Sequence, residues 1–241
     1  MPPFERFGIA HSVALLALGL GVIGAHLGAR RWPRATAATL AAVLVGGMAA
    51  HLAGIAARRE LTVFDLLPLH LCDMSIFLSL AGLVWPHRRL VELLFFWTTT
   101  GTLLACITPA LRHGPPSLGF FTYFALHGGV IAAALYLATR QRLTLDLRAA
   151  LRAWAWTNVY AAGVLFVDVL YGRNYLYLTR APPVPTLLDA LGPWPNYLFV
   201  AEGIALVSFA LVATLWRTGA HARTDGPLLE RTAPLRTSRS I

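Results

Sequence analysis

Seven apolar blocks follow one another along this chain, each about 20 residues, the length a helix needs to cross a ~30 Å hydrocarbon core. They fall at residues 8–29, 36–57, 64–85, 90–109, 119–139, 150–170 and 195–216. Backbone in hydrocarbon must satisfy its own hydrogen bonds, and blocks of this length do so as helices. All connections are short, which favours antiparallel neighbours, except YGRNYLYLTRAPPVPTLLDALGPWP between the sixth and seventh blocks. There Thr186 is expected to cap a short helix LLDAL, Gly192 to end it, and the whole stretch to fold over the mouth of the bundle. Composition agrees: 57% of the residues are hydrophobic and 13% charged, about half the charged fraction of a soluble domain. The expected fold is all-α, a polytopic membrane helix bundle with about seven transmembrane helices in one domain, 1–216. A polar, arginine-rich tail, 217–241, is expected to be disordered.

All twenty basic residues are arginine, and the net charge is +9. The arginines stand in short clusters between apolar blocks, a pattern that encodes membrane topology and gives no reason to expect a nucleic-acid partner. Arg30, Arg31, Arg34, Arg88, Arg89, Arg140, Arg142, Arg148, Arg152 and the five arginines of the tail share one side. Arg6, Arg58, Arg59, Arg112, Arg173 and Arg180 lie on the other. Fourteen against six places the tail in the cytoplasm and the N-terminus outside, in the cell membrane. The first block is expected to be a retained span, because its positive charge follows the apolar run, the reverse of a secretory signal. Two cysteines make no disulfide framework, and no Cys72–Cys106 bridge is expected.

Ionisable residues within apolar blocks are costly and mark functional sites. The string LPLHLCDMS puts His70, Cys72 and Asp73 within four residues near the start of the third block. With the orientation above, Cys72, Asp73, Cys106, His127, Asp168 and Glu202 all fall in the external third of the membrane, and His51 in its external half, which suggests a shared cavity. If the third block is one helix, Asp65, Pro68, Cys72, Ser75 and Ser79 form a small polar stripe facing the bundle. Asp73 then borders it and His70 points away. A thiolate is a strong nucleophile and an imidazole can take its proton, so Cys72 and His127 are the candidate catalytic pair. The blander readings are a cysteine filling space and a histidine bonded to a neighbouring carbonyl or hydroxyl. Asp73 and Glu202 are candidates to orient the histidine, and Arg173 and Asn174 to hold a lipid phosphate at the rim. No glycine-rich phosphate loop is present, so no nucleotide or redox cofactor is expected. No two histidines have the H-x-x-x-H spacing of a helical metal site, although ligands from separate spans remain an alternative.

The strings PLHLCDMSIFL, ELLFFWTTTGTLLACITP, FFTYFALHGG, YGRNYLYL and TLLDALGPWPNYLF occur in this order between about residue 60 and residue 215. They resemble the YwaF-type bacterial integral membrane proteins, which group with the eukaryotic transmembrane protein 164 family. For the eukaryotic relatives the resemblance implies a phospholipid acyltransferase with an intramembrane cysteine and histidine, and a fold like that of the androgen-induced-gene-type membrane hydrolases. The cysteine motif matches at Cys72 and the histidine motif at His127. The expected function is therefore lipid acyl chemistry, transfer or hydrolysis, with membrane lipids as partners. A transporter or lipid-binding protein is the first alternative, and a zinc-dependent membrane hydrolase the next. Pro68 and Pro109 lie near block ends, so neither is expected to break a helix centrally.

Overall fold

A computed structural model describes residues 1–182 and 186–224. The described chain is helical, without strands, and its helices are α1 (Ile9–Arg31), α2 (Pro33–Ala57), α3 (Leu71–Val84), α4 (Arg88–Trp97), α5 (Leu103–Ile107), α6 (Leu118–Arg140), α7 (Leu147–Tyr171) and α8 (Asn196–Thr224). The expected all-α membrane bundle is found. Six helices are long and apolar enough to cross a membrane, with α4 and α5 forming one of them, Arg88–Ile107. The seventh block holds its helix eight residues past position 216, while the rest of the expected tail, from residue 225, lies outside the described residues.

Local chemistry sets the ends of these helices. Pro33 opens α2 at a first-turn position where its missing N–H costs nothing. Ser117 and Asp146 cap α6 and α7 by accepting from the N–H groups of Phe120 and Ala149. Gly172, with φ of 64°, ends α7 in the left-handed conformation that glycine adopts without strain. Between α4 and α5 the turn Thr98–Thr102 is a π-helix, and the hydroxyls of Thr99 and Thr100 bond the carbonyls of Phe95 and Phe96 there.

The third block departs from a single helix. Pro68 lacks an N–H and biases its predecessor away from helix, and α3 starts only at Leu71. At 1.5 Å per residue its 14 residues span about 21 Å, short of the ~30 Å core. Asp65 and Pro68 therefore do not share a helical face with Cys72, contrary to the stripe expected of a single helix. Ser75 and Ser79 remain on α3, both buried.

α6 is the hub. It is buried over most of its length and packs against α1, α2, α3 and α4, whereas α1, α2 and α8 turn most of their apolar surface outward, as lipid-facing helices do. Small residues let helices approach it closely. A Cβ on Gly129 would lie 2.9 Å from Leu44, itself fully buried, and one on Gly82 of α3 would lie 2.7 Å from Leu137. At the arginine-rich end, the buried Glu92 bonds Arg88 at 3.0 Å and Arg152 at 2.9 Å, tying α4 to α7.

Gly129→Leu is expected to force α2 off α6 and lower stability by about 1–3 kcal/mol, the usual cost of overpacking. A melting curve of the detergent-purified variant, shifted down against wild type, would record this.

Candidate functional site

The stretch leading into α3 is non-helical yet belongs to an apolar block, so its carbonyls need partners from the protein. A capping box between Thr62 and Asp65 starts a short 3-10 turn, Val63–Leu66. The phenol of Tyr175 then donates to the Phe64 carbonyl at 2.7 Å, and that of Tyr160 to the Pro68 carbonyl at 2.8 Å. His70 is the N-cap residue of α3, in extended conformation. Among the described residues the N–H groups of Leu71, Cys72 and Asp73 have no hydrogen-bond partner. Cys72 thus sits in the first turn of a helix whose free N–H groups favour negative charge.

Tyr123 packs beside His127 on α6. The phenol of Tyr123 lies close enough to Cys72, Cys106 and Tyr177 for their charges to act on it, and it donates to the Ala105 carbonyl at 2.8 Å. Its ring stacks on His127 with centroids 4.0 Å apart, and its carbonyl bonds Nδ1 of His127 at 2.8 Å. A carbonyl only accepts, so Nδ1 carries the proton and Nε2 of the neutral ring is left with its lone pair. Nε2 has no hydrogen-bond partner among the described residues, and the residue is half-buried. No hydrogen bond joins Cys72 to His127 among the described residues. Both cysteines are free thiols.

The connection after α7 closes over this end. Asp168 receives the Arg173 N–H on its carbonyl and the Tyr175 N–H on Oδ1, each at 3.0 Å. Leu176 and Tyr177 hold left-handed conformations, φ 54° and 58°, which non-glycine residues adopt only where the surroundings enforce it. That turn sets Tyr175 and Tyr177 against His70, with ring centroids 5.2 and 6.3 Å away. Burial, with the Cys72 thiol adding to it, pushes the Tyr177 phenol up from its ordinary value, so it stays a neutral O–H donor. Tyr197 anchors the far side by donating to the carbonyls of Tyr177 and Arg180. The 3-10 turn Leu187–Leu191 has the expected Thr186 cap, and Gly192 ends it with φ of 107°.

The other sequence candidates divide between site and scaffold. Asp73 lies within electrostatic reach of His70, His51 and Tyr160. His70, read from the helical wheel as pointing away, faces the site because it precedes the helix. Glu202 bonds Asn158 of α7 at 2.9 Å, and the His127 ring is oriented by the Tyr123 carbonyl, so neither carboxylate has the orienting bond expected of it. Arg173 stacks over Phe64 at 3.7 Å and keeps Nε buried without a partner. The Asn174 amide accepts from Thr179 and Arg180 and donates to the Arg180 carbonyl, which occupies it within its own loop. His11 is structural: Nδ1 accepts from Phe7 N–H and Nε2–H donates to the Cys106 carbonyl, both at 2.9 Å. Among the described residues no three His, Cys, Asp or Glu side chains converge as a metal site. The sequence reading missed Tyr123, Tyr160, Tyr175, Tyr177 and Asn158. Only Tyr123 had a signal, four residues before His127 and so on the same helical face.

Such a bundle, with lipid-facing apolar helices and a polar cluster at the arginine-poor end, defines a multi-pass integral membrane protein. The chain belongs to the TMEM164 family, whose model matches residues 6–213. No curated protein and no solved structure matches it.

Tyr160→Phe strands the Pro68 carbonyl and is expected to cost about 1–3 kcal/mol, the penalty for an unpaired buried acceptor. Hydrogen exchange at residues 66–74 should accelerate in this variant while α1 and α2 keep their protection.

Proposed function

We propose that the chain is an enzyme of lipid acyl chemistry, acting as a phospholipid acyltransferase or acyl hydrolase through Cys72 and His127. What supports this reading is a cysteine in a helical first turn with free N–H groups and a histidine whose lone-pair nitrogen is left available. Family membership supports it, given the intramembrane cysteine and histidine implied by the resemblance. In the reaction, Nε2 of His127 takes the Cys72 proton as sulfur attacks the ester carbonyl. The N–H groups of the first turn of α3 receive the oxyanion. Collapse breaks the ester C–O bond, the leaving alkoxide takes the proton from His127, and the acyl group stays on Cys72 as a thioester. Water or an acceptor hydroxyl then gives its proton to His127 and attacks the thioester; the thiol returns as the acyl product leaves. The gap between the pair closes when substrate enters, as hydrogen bonds in resting sites commonly do. Tyr177 donates to the substrate. Asp73 holds His70, Glu202 keeps α7 against α8, and Arg173 takes the phosphate at the rim, with Asn174 shaping its loop.

Orientation belongs to the same reading. The arginine balance puts the site toward the outside, with an external N-terminus and a cytoplasmic C-terminus.

One feature favours a second reading, a transporter or lipid-binding protein. The non-helical residues Leu67–His70 interrupt a span beside the polar cluster, the device by which transporters build mid-membrane sites.

Two measurements test these readings. Purified protein incubated with mixed phospholipids should change their acyl composition by mass spectrometry. Cys72→Ser or His127→Gln should reduce that conversion by about 10²-fold or more, with unchanged melting temperature. Full conversion by the Cys72→Ser variant would eliminate a thioester at Cys72, and no conversion by the wild type would leave the binding reading. A reporter fused at the C-terminus should be cytoplasmic and one inserted at 176–186 external; the opposite pattern would invert the orientation.

A further inference from the structure

A second feature lies on the opposite flank of α6 and involves neither Cys72 nor His127. A groove of about 870 Å³ runs between α1, α2 and α6. Its α1 wall extends from Ala10 to Ala25, about 22 Å at 1.5 Å per residue, more than half of a ~30 Å core. Glycine and alanine keep it open: Gly21 and Gly24 line it, and a Cβ on either would meet nothing within 4 Å. At its arginine-rich end it shares Trp32 and Ala35 with a second cavity of about 630 Å³ bordered by Arg34, Arg140 and Tyr136.

Charge decides what fits. α1, α2 and α6 contain no aspartate or glutamate, yet Arg30, Arg31, Arg34 and Arg140 gather at this end. Among the described residues Arg34 and Arg140 have no ion pair or hydrogen bond, whereas Arg88 and Arg152 share Glu92. The Tyr136 phenol, which donates to the Pro33 carbonyl at 3.0 Å, fixes one wall. Two unpaired guanidinium groups at the mouth of a long apolar groove match an anionic head group above an acyl chain, since basic pockets between transmembrane helices hold such lipids. We propose that this groove binds one anionic phospholipid, its phosphate between Arg34 and Arg140 and an acyl chain along Gly21 and Gly24.

The test is native mass spectrometry and thermal melting of the detergent-purified full chain, with phosphatidylglycerol compared against phosphatidylcholine. Wild type should retain phosphatidylglycerol preferentially and melt higher with it. R34Q/R140Q should weaken that retention roughly tenfold or more and leave phosphatidylcholine unaffected. G21L/G24L, whose new side chains enter open space, should lose both lipids. The proposal falls if the two lipids are retained equally, or if R34Q/R140Q keeps the preference. It also falls if inorganic phosphate stabilises as well as the lipid, indicating a free-anion site, or if delipidated protein dimerises through the groove and G21L/G24L abolishes the dimer.

Discussion

Hydrocarbon offers an unpaired carbonyl no water, and the architecture around α3 follows from that. Pro68 ends any prospect of a continuous helix through the third apolar block. The carbonyls of Phe64 and Pro68, which a helix would have paired, are claimed instead by the phenols of Tyr175 and Tyr160. One tyrosine comes from the connection after α7 and the other from α7 itself. Breaking the helix therefore obliges two distant segments to close over it, and the first turn of α3 is delivered into their midst.

The same accounting explains why aromatic residues crowd the arginine-poor end. The chain ending at α5 leaves terminal carbonyls, and these are taken by Tyr123 and His11, at Ala105 and Cys106 respectively. Tyr123 also presents its own carbonyl to His127 and its ring to the imidazole face. A group recruited to satisfy backbone thereby fixes a histidine tautomer. Tyr123 thus serves scaffold and histidine at once, so a substitution there alters both.

Much of the fold was legible because bilayer thickness acts on sequence directly: a span must be long and apolar, and six of the seven blocks hold long apolar helices or, in α4–α5, a near-continuous one. The third block is not a single helix because Pro68 and the two residues after it, Leu69 and His70, stay outside α3. A helical wheel drawn through the whole block turns His70 away from the bundle, whereas an extended N-cap residue is not bound by it. Cys72 and His127 could be singled out as ionisable groups in apolar surroundings. Their neighbours could not, since Tyr160, Tyr175 and Tyr177 look like ordinary interface aromatics and meet α3 only through tertiary folding. Local rules did better where the partner was near in sequence, as with Thr186 and Asp189 in the turn before α8.

The glycine at position 82 gives the two candidate groups a common geometry. A Cβ on Gly82 would lie 2.7 Å from Leu137, so α3 and α6 approach closely there. Cys72 lies ten residues before Gly82, and His127 ten residues before Leu137. Both helices run the same way, so the contact acts as a pivot with two equal arms of about 15 Å. A tilt of only about 4° between such arms shifts their free ends by about 1 Å, enough in a positioned reaction to change rate by about two orders of magnitude. The absence of a single methyl group at position 82 thus sets how closely α3 and α6 approach there and, with it, how far apart their other ends stand.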